Sequence, residues 1–261
     1  MTAVIPDAIR GRYCRKVKER DFMRIQPHDT IGDIVAADYR AAAVFERFGL
    51  DFCCGGRQTL NDVCQQPAID AAALLGALDE LSGEDVAADD VAGWPLDWLV
   101  DYILSRHHAY MRAAIPTIAA HTAKIAVVHG DRSPELHEVA RVFGNIASGL
   151  RLHMMKEEEI LFPYIRSLVE TERAGRRVEP SPFGTVHNPI RMMEAEHQEA
   201  GHELQRLREL TRGYALPDFA CTTYRACFEE LQDFERDLHR HVHLENNVLF
   251  PRAIALESAL G

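Results

Sequence analysis

Two short segments of this chain carry the same side chains in the same order. His153-Met-Met-Lys-Glu157 continues into Glu-Glu-Ile-Leu-Phe-Pro163, and His241-Val-His-Leu-Glu245 continues into Asn-Asn-Val-Leu-Phe-Pro251. They begin 88 residues apart, and two histidines upstream of them, His108 and His197, are 89 residues apart. On an α-helix, residues i and i+4 are offset by only about 40° and about 6 Å, so each His–Glu pair projects from one face. A single pair of this kind is ordinarily a surface contact. Two matched pairs, each with a histidine one helix upstream, point instead to one shared site made by two facing helix hairpins. Four imidazoles and two carboxylates are too many for a structural zinc site, which takes four ligands and favours thiolates. They suit two first-row metals about 3–4 Å apart, with Glu157 and Glu245 bridging and open positions for an oxo group or a small ligand. Iron is the expected metal, since imidazole with carboxylate is its common non-haem environment.

Such a site requires helices long enough to bring distant residues together. Beyond residue 95 the apolar period is helical, broken near His129–Ser133, over 172–182 and over 213–217. Ser133-Pro134 has the form of an N-cap followed by proline, and Trp94-Pro95 places a proline at a helix start. The breaks define four helices, about 95–120, 134–170, 188–212 and 218–250, joined as a four-helix bundle. Met154 and Met155 read as packing residues of that bundle. His107, His202, His239 and His243 stand close to the ligand set in supporting or solvated roles. His121, His129, His137 and His187 read as loop or surface histidines.

A smaller helical unit precedes the bundle. Thr30 is a suitable N-cap, with Asp33 as its weaker capping-box partner. From Ile31 to Phe48 apolar residues recur at helical spacing, and Gly49 terminates that helix. Two shorter helices follow, Thr59–Gln65 and Ile69–Leu81. The acidic, weakly apolar stretch 82–93 reads as a linker. The resulting organisation is a tail over 1–27, a small helical domain over 28–82, a linker over 83–94 and the bundle over 95–258. Between the first two helices lies Asp51-Phe-Cys53-Cys54-Gly55-Gly56. Its glycines permit a tight turn, which would expose two adjacent thiols near a helix N-terminus that favours thiolate. Cys53 and Cys54 are therefore candidate redox or iron-transfer residues, against the plainer reading of two small residues filling a turn. A disulfide between neighbours would be strained and easily reduced. Cys64, Cys221 and Cys227 read as buried helix cysteines and Cys14 as incidental.

The 261 residues are 47% hydrophobic and 26% charged, with a formal net charge of −11, which describes an ordinary globular protein. That acidity argues against nucleic acid as a partner. The basic stretch Arg10–Arg24 reads as a solvated arm, and Met23 is a second candidate start, since patterning begins after it. No apolar run is long enough to span a membrane and no secretory h-region is present, so a cytoplasmic location is expected.

Taken together, these motifs resemble the di-iron proteins that repair iron centres. The similarity runs from about residue 28 to 257 and rests on Asp-Phe-Cys-Cys-Gly-Gly with Arg57-Gln-Thr-Leu60, His-Met-Met-Lys-Glu-Glu, Glu196-His197 and Leu244-Glu-Asn-Asn-Val-Leu-Phe-Pro-Arg252. Ferritin-like carboxylate proteins, the competing di-iron architecture, need two Glu-x-x-His pairs, whereas Glu194-x-x-His197 is the one such pair here that includes a candidate ligand histidine. The excess of histidine favours a hemerythrin-like bundle. Oxygen-carrying hemerythrins use five histidines and an aspartate, so reversible oxygen carriage is not expected. The resemblance implies an all-α fold, a hemerythrin-like four-helix bundle preceded by a small helical domain. It implies an oxo- and carboxylate-bridged pair of iron ions held by His108, His153, Glu157, His197, His241 and Glu245. It also implies repair of clusters damaged by nitric oxide or oxidative stress, by supplying iron. Its partners would be damaged iron–sulfur proteins met transiently and nitric oxide or oxygen as small ligands, with no nucleic acid, no membrane and a homodimer as one option. Two other readings accompany it: nitric oxide reduction at the di-iron site, and a nitric oxide or oxygen sensor.

Overall fold

A computed structural model describes residues 25–81 and 93–261. The basic stretch, Met23 and Cys14, and most of the expected linker lie outside the described residues. The regular structure described is helical, with two isolated β-bridges.

The small domain contains α1 (Ile31–Ala37), α2 (Arg40–Arg47), α3 (Leu60–Cys64) and α4 (Ala71–Leu81). Thr30 caps α1 by accepting from the Asp33 N–H, and Thr59 caps α3 with a full capping box to Asp62. The two capping threonines face one another in an antiparallel bridge, flanked by Ile31 N–H to Gln58 O and Leu60 N–H to Asp29 O, both 2.9 Å. Two helices replace the single one expected from Ile31 to Phe48. The cause is Asp38, whose backbone turns extended and whose carboxylate accepts the Arg40 N–H at 3.0 Å and grips the Arg40 guanidinium. Gly49 follows α2 with φ +68°, the left-handed turn expected there.

Four long helices follow. α5 runs through Leu96–Tyr102, Ile103–His108 and Ala109–His129; α6 through Glu135–Lys156, Glu157–Leu161 and Phe162–Arg173; α7 is His187–Leu210; α8 runs through Thr222–Leu244, Glu245–Leu249 and Phe250–Leu260. α5 outlasts its expected end near 120 because residues 120–129 hold no breaker before Gly130. α6 starts at Glu135, one residue after Pro134, without a side-chain cap. In the three composite helices the middle segment is a π-turn. Pro163 and Pro251 account for two of them. Each lacks the N–H that would bond the carbonyl four residues back, and its ring crowds that carbonyl. The helix widens instead, and Phe162 and Phe250 donate five residues back, to Glu157 O and Glu245 O.

The bundle holds two apolar cores. α5 gives Leu99, Val100 and Ile103 to one and Met111, Ile115 and Ile118 to the other. α6 reverses that order, with Phe143, Ile146 and Leu150 in the second core before Phe162, Ile165 and Val169 in the first. α7 and α8 alternate likewise, so neighbouring helices run antiparallel. Phe143 and Phe234 meet edge to face at 5.5 Å in the second core. The small domain joins that core, which includes Ile31, Phe45, Phe52 and Leu74. Met154 is buried as expected, whereas Met155 is 44% exposed.

The domains are joined by polar contacts as well. Asn247 on α8 donates to Phe52 O at 3.1 Å and Cys53 O at 3.3 Å, and Arg57 pairs with Glu194 at 2.5 Å. Glycine is required where Asn247 arrives: a Cβ on Gly56 would stand 2.5 Å from both Asn247 Oδ1 and Phe52 O.

Gly56→Ala is therefore expected to lower stability by about 1–3 kcal/mol, the usual cost of an overpacked contact; an unchanged thermal midpoint would show that the docking does not need this close approach. Asp38→Asn tests the break after α1. Burial raises the Asp38 pKa, but the Arg40 guanidinium and N–H outweigh it, and the net shift is downward. The ionised carboxylate thus stabilises the fold above its ordinary range, and the contribution is lost as pH falls through its lowered native value. Wild type should exceed Asp38→Asn in stability at neutral pH, and the two should converge in strong acid in urea titrations.

Candidate metal centre

Between the two cores lies a layer of buried polar side chains. His108 closes the π-turn of α5, Glu157 opens that of α6 and Glu245 that of α8. His153 and His241 stand one turn before their glutamates, and His197 projects from the middle of α7. All six are buried. They form two groups, His108–Glu157–His241–Glu245 and His153–Glu157–His197–Glu245, each with one ligand atom per residue within 4.8 Å of the others. Both glutamates belong to both groups.

The spacing has the form of paired cation positions. Within the groups, His108 Nε2 and His241 Nε2 are 3.2 Å apart, and His153 Nε2 and His197 Nε2 are 2.9 Å apart. Two nitrogens each about 2.1 Å from one ion stand about 3 Å apart when they subtend a right angle. Glu245 turns Oε1 toward His241, at 2.8 Å, and Oε2 toward His197, at 3.1 Å. Glu157 Oε2 lies 3.3 Å from both His108 Nε2 and His153 Nε2. Both oxygens of Glu157 and Oε2 of Glu245 lack a hydrogen bond among the described residues. Fully buried carboxylate oxygens without donors are costly unless a charge meets them. Two cations fit this donor set, one per histidine pair, with each glutamate reaching both.

Three of the four imidazoles are held from behind through Nδ1, which leaves Nε2 for the centre. His108 Nδ1 meets Glu158 at 2.6 Å, and Glu158 is gripped by Arg112. His153 Nδ1 meets Glu196 at 2.9 Å, and Glu196 is gripped by Lys156. His197 Nδ1 donates to Asn246 Oδ1 at 2.9 Å. His241 is held differently: His107 stacks on it at 5.6 Å with 7° between the planes, and His107 Nδ1 meets Asp237 at 3.1 Å.

Charge balance follows from these contacts. Burial and mutual repulsion push the Glu157 carboxyl up, yet His153 and His108 bring it below its ordinary value. Burial likewise opposes Glu245, which His241 and His197 hold well below. Burial would lower His153, but Glu157 and Glu196 push it up to about 10. His108 is raised against burial by Glu157, while burial dominates at His241 and lowers it. The His153 hydrogen bond, then Lys156, take Glu196 down to about 2.

The histidines beside the set divide by role. His243 accepts from Asn247 Nδ2 at 3.1 Å and is lowered to about 3 by burial and Arg240. His239 meets Glu46 of α2 at 3.1 Å. Both hold the small domain, His243 buried and His239 half-buried, whereas His202 is exposed. Glu194 stays outside the centre, on Arg57. Sequence reasoning did not assign Glu158, Glu196 and Asn246. Each is the immediate neighbour of a centre residue, and that adjacency was the available signal. His129, expected on a loop or surface, is half-buried at the end of α5 and lies 3.2 Å from the exposed Cys221. Cys227 is buried and Cys64 half-buried.

The Cys-Cys-Gly-Gly turn departs from its expected exposure. Cys53 is 7% exposed and Cys54 half-buried. Contact with Cys54, burial and the Asp51 carboxylate raise the Cys53 thiol well above its ordinary value, so thiolate is disfavoured in the isolated loop.

Residues 99–253 match the hemerythrin HHE cation binding domain, and residues 27–82 match a domain of unknown function, DUF542. The iron-sulfur cluster repair protein YtfE of Musicola paradisiaca is 38% identical over 229 residues, 88% of this chain and 97% of that protein. The proteins of the same name from Yersinia pseudotuberculosis and Pectobacterium carotovorum are each 36% identical, over 87% and 86% of this chain and 97% and 96% of their own lengths.

Because each glutamate faces both histidine pairs, losing one glutamate should affect both cation positions. Glu245→Gln is expected to drop metal content from about two ions per chain to below one. His108→Ala should lose mainly one. Equal losses in the two variants would refute the bridging arrangement; elemental analysis of the purified variants decides.

Proposed function

The chain belongs to the hemerythrin HHE cation-binding family, together with iron–sulfur cluster repair proteins, and on that premise we propose that it restores damaged clusters by supplying iron from its buried centre. The observation that supports this most directly is the sharing of Glu157 and Glu245 between two histidine pairs. Such a nitrogen and oxygen donor set, free of thiolate, accepts ferrous iron but holds it less tightly than the later first-row metals. Iron is here the cargo. A damaged cluster offers cysteine thiolates and sulfide, softer donors characteristic of iron–sulfur sites, so the chemistry favours passage from this centre to the client.

The protein's own residues set how readily the cargo leaves. Glu158, Glu196 and Asn246 fix three rings, and the two glutamates provide the negative charge that retains cations in a buried layer. Protonation of a glutamate or loss of positive charge on the ions would weaken that retention. Among the described residues no helix is long and apolar enough to cross a membrane. The clients in this reading are damaged iron–sulfur proteins, met transiently.

The reading is tested by loading the protein with isotopically labelled iron and mixing it anaerobically with a dehydratase whose cluster has been damaged by nitric oxide. Label should appear in the client as its activity returns. Glu157→Gln and Glu245→Gln should lose iron retention and repair together. Repair by an iron-free preparation would refute iron supply.

A further inference from the structure

A second group of ligand atoms lies in the small domain. Asp51 Oδ1 accepts from the backbone N–H of Cys53 at 3.0 Å, that of Cys54 at 2.9 Å and the Cys53 thiol at 3.1 Å. Cys53 Sγ and Cys54 Sγ are 3.9 Å apart, and one atom from each of the three side chains lies within 4.8 Å of the others. Thiolates about 2.3 Å from a tetrahedral ion stand about 3.8 Å from each other. The pair is thus spaced as an edge of a cation's coordination shell, and much too far for a disulfide bond.

The placement of the group matters equally. Asn246 joins it to the metal centre, accepting from His197 Nδ1 and donating to Cys53 O at 3.2 Å. Cys54 Sγ lies 3.8 Å from where a Cβ on Gly201 would stand, and Gly201 is one helical turn beyond His197 on the same face of α7. Both thiols therefore lie on the His197 side of the centre.

We propose that Asp51, Cys53 and Cys54 form a second cation site, taking one divalent ion of borderline softness, ferrous iron in the reading above. This deepens that reading and rests on it for the identity of the ion. Binding breaks two S–H bonds, forms two metal–sulfur bonds and releases two protons to solvent, with no change of oxidation state. Three protein ligands leave one tetrahedral position for a client's thiolate.

Cobalt(II) is the probe, because its thiolate charge-transfer absorption reports sulfur ligation. The iron-loaded protein is reduced with a phosphine, freed of it and titrated with cobalt under argon, with iron content measured on the same sample. One further equivalent should bind with a charge-transfer band and release of about two protons, one per thiol. The double variant Cys53→Ser with Cys54→Ser should lose the band. Asp51→Asn keeps the backbone acceptor and should weaken cobalt binding about tenfold, as expected for one charge-assisted interaction. An iron-loaded protein without the band, or a band that survives the double variant, overturns the proposal. A band in a bundle that retains no iron supports the thiol site and overturns the iron-supply reading instead.

Discussion

The carboxylates of Glu157 and Glu245 lie wholly inside the bundle with imidazoles as their nearest polar company. Removing such charges from water costs several kcal/mol per ion unless opposite charge meets them. The surrounding structure answers that constraint. Apolar cores close the layer above and below, which keeps water out and strengthens every electrostatic contact within it. Carboxylates gripped by Arg112 and Lys156 sit behind two of the rings and favour positive charge on those imidazoles, which face the buried glutamates.

The helices are deformed where the ligands are. A regular helix would continue its four-residue hydrogen bonds past Glu157 and Glu245. Proline six residues beyond each glutamate prevents that, and the chain takes up one extra residue in a π-turn. Leu-Phe-Pro is thus part of the site's architecture, and its phenylalanines lie against rings of the centre, Phe162 on His108 at 5.6 Å and Phe250 on His197 at 6.1 Å. The turn lets Leu161, Phe162, Leu249 and Phe250 re-enter the apolar core directly after a polar stretch.

The repeat in the sequence was legible because ligand chemistry demands particular side chains at helical spacing, and the same six residues meet in the structure. The four long helices could be read too, since their apolar period is long and uninterrupted. The break at Asp38 could not be read, because the residues on either side keep the helical period and only the Arg40 contact reveals the turn. Burial of Cys53 was also hidden: glycine suggested an open turn, and the covering surface comes from α7 and α8, well over a hundred residues away. His239 and His243 looked like supporters of the metal because they lie near His241 in the chain. On a helix their side chains face away from it, toward the small domain.

The duplicated hairpins give the centre an approximate twofold axis, under which His108 answers to His197, His153 to His241 and Glu157 to Glu245. Glu158 answers to Asn246, and each bonds the histidine of its own hairpin. Glu196 answers to His107, and each lies behind the opposite hairpin's second histidine. The donors keep the symmetry while the residues behind them break it. Since the small domain is bonded to Asn246 through Cys53 O, the centre acquires a front and a back. A site that could have been approached equally from two directions has become polar, with one face turned inward to its own chain.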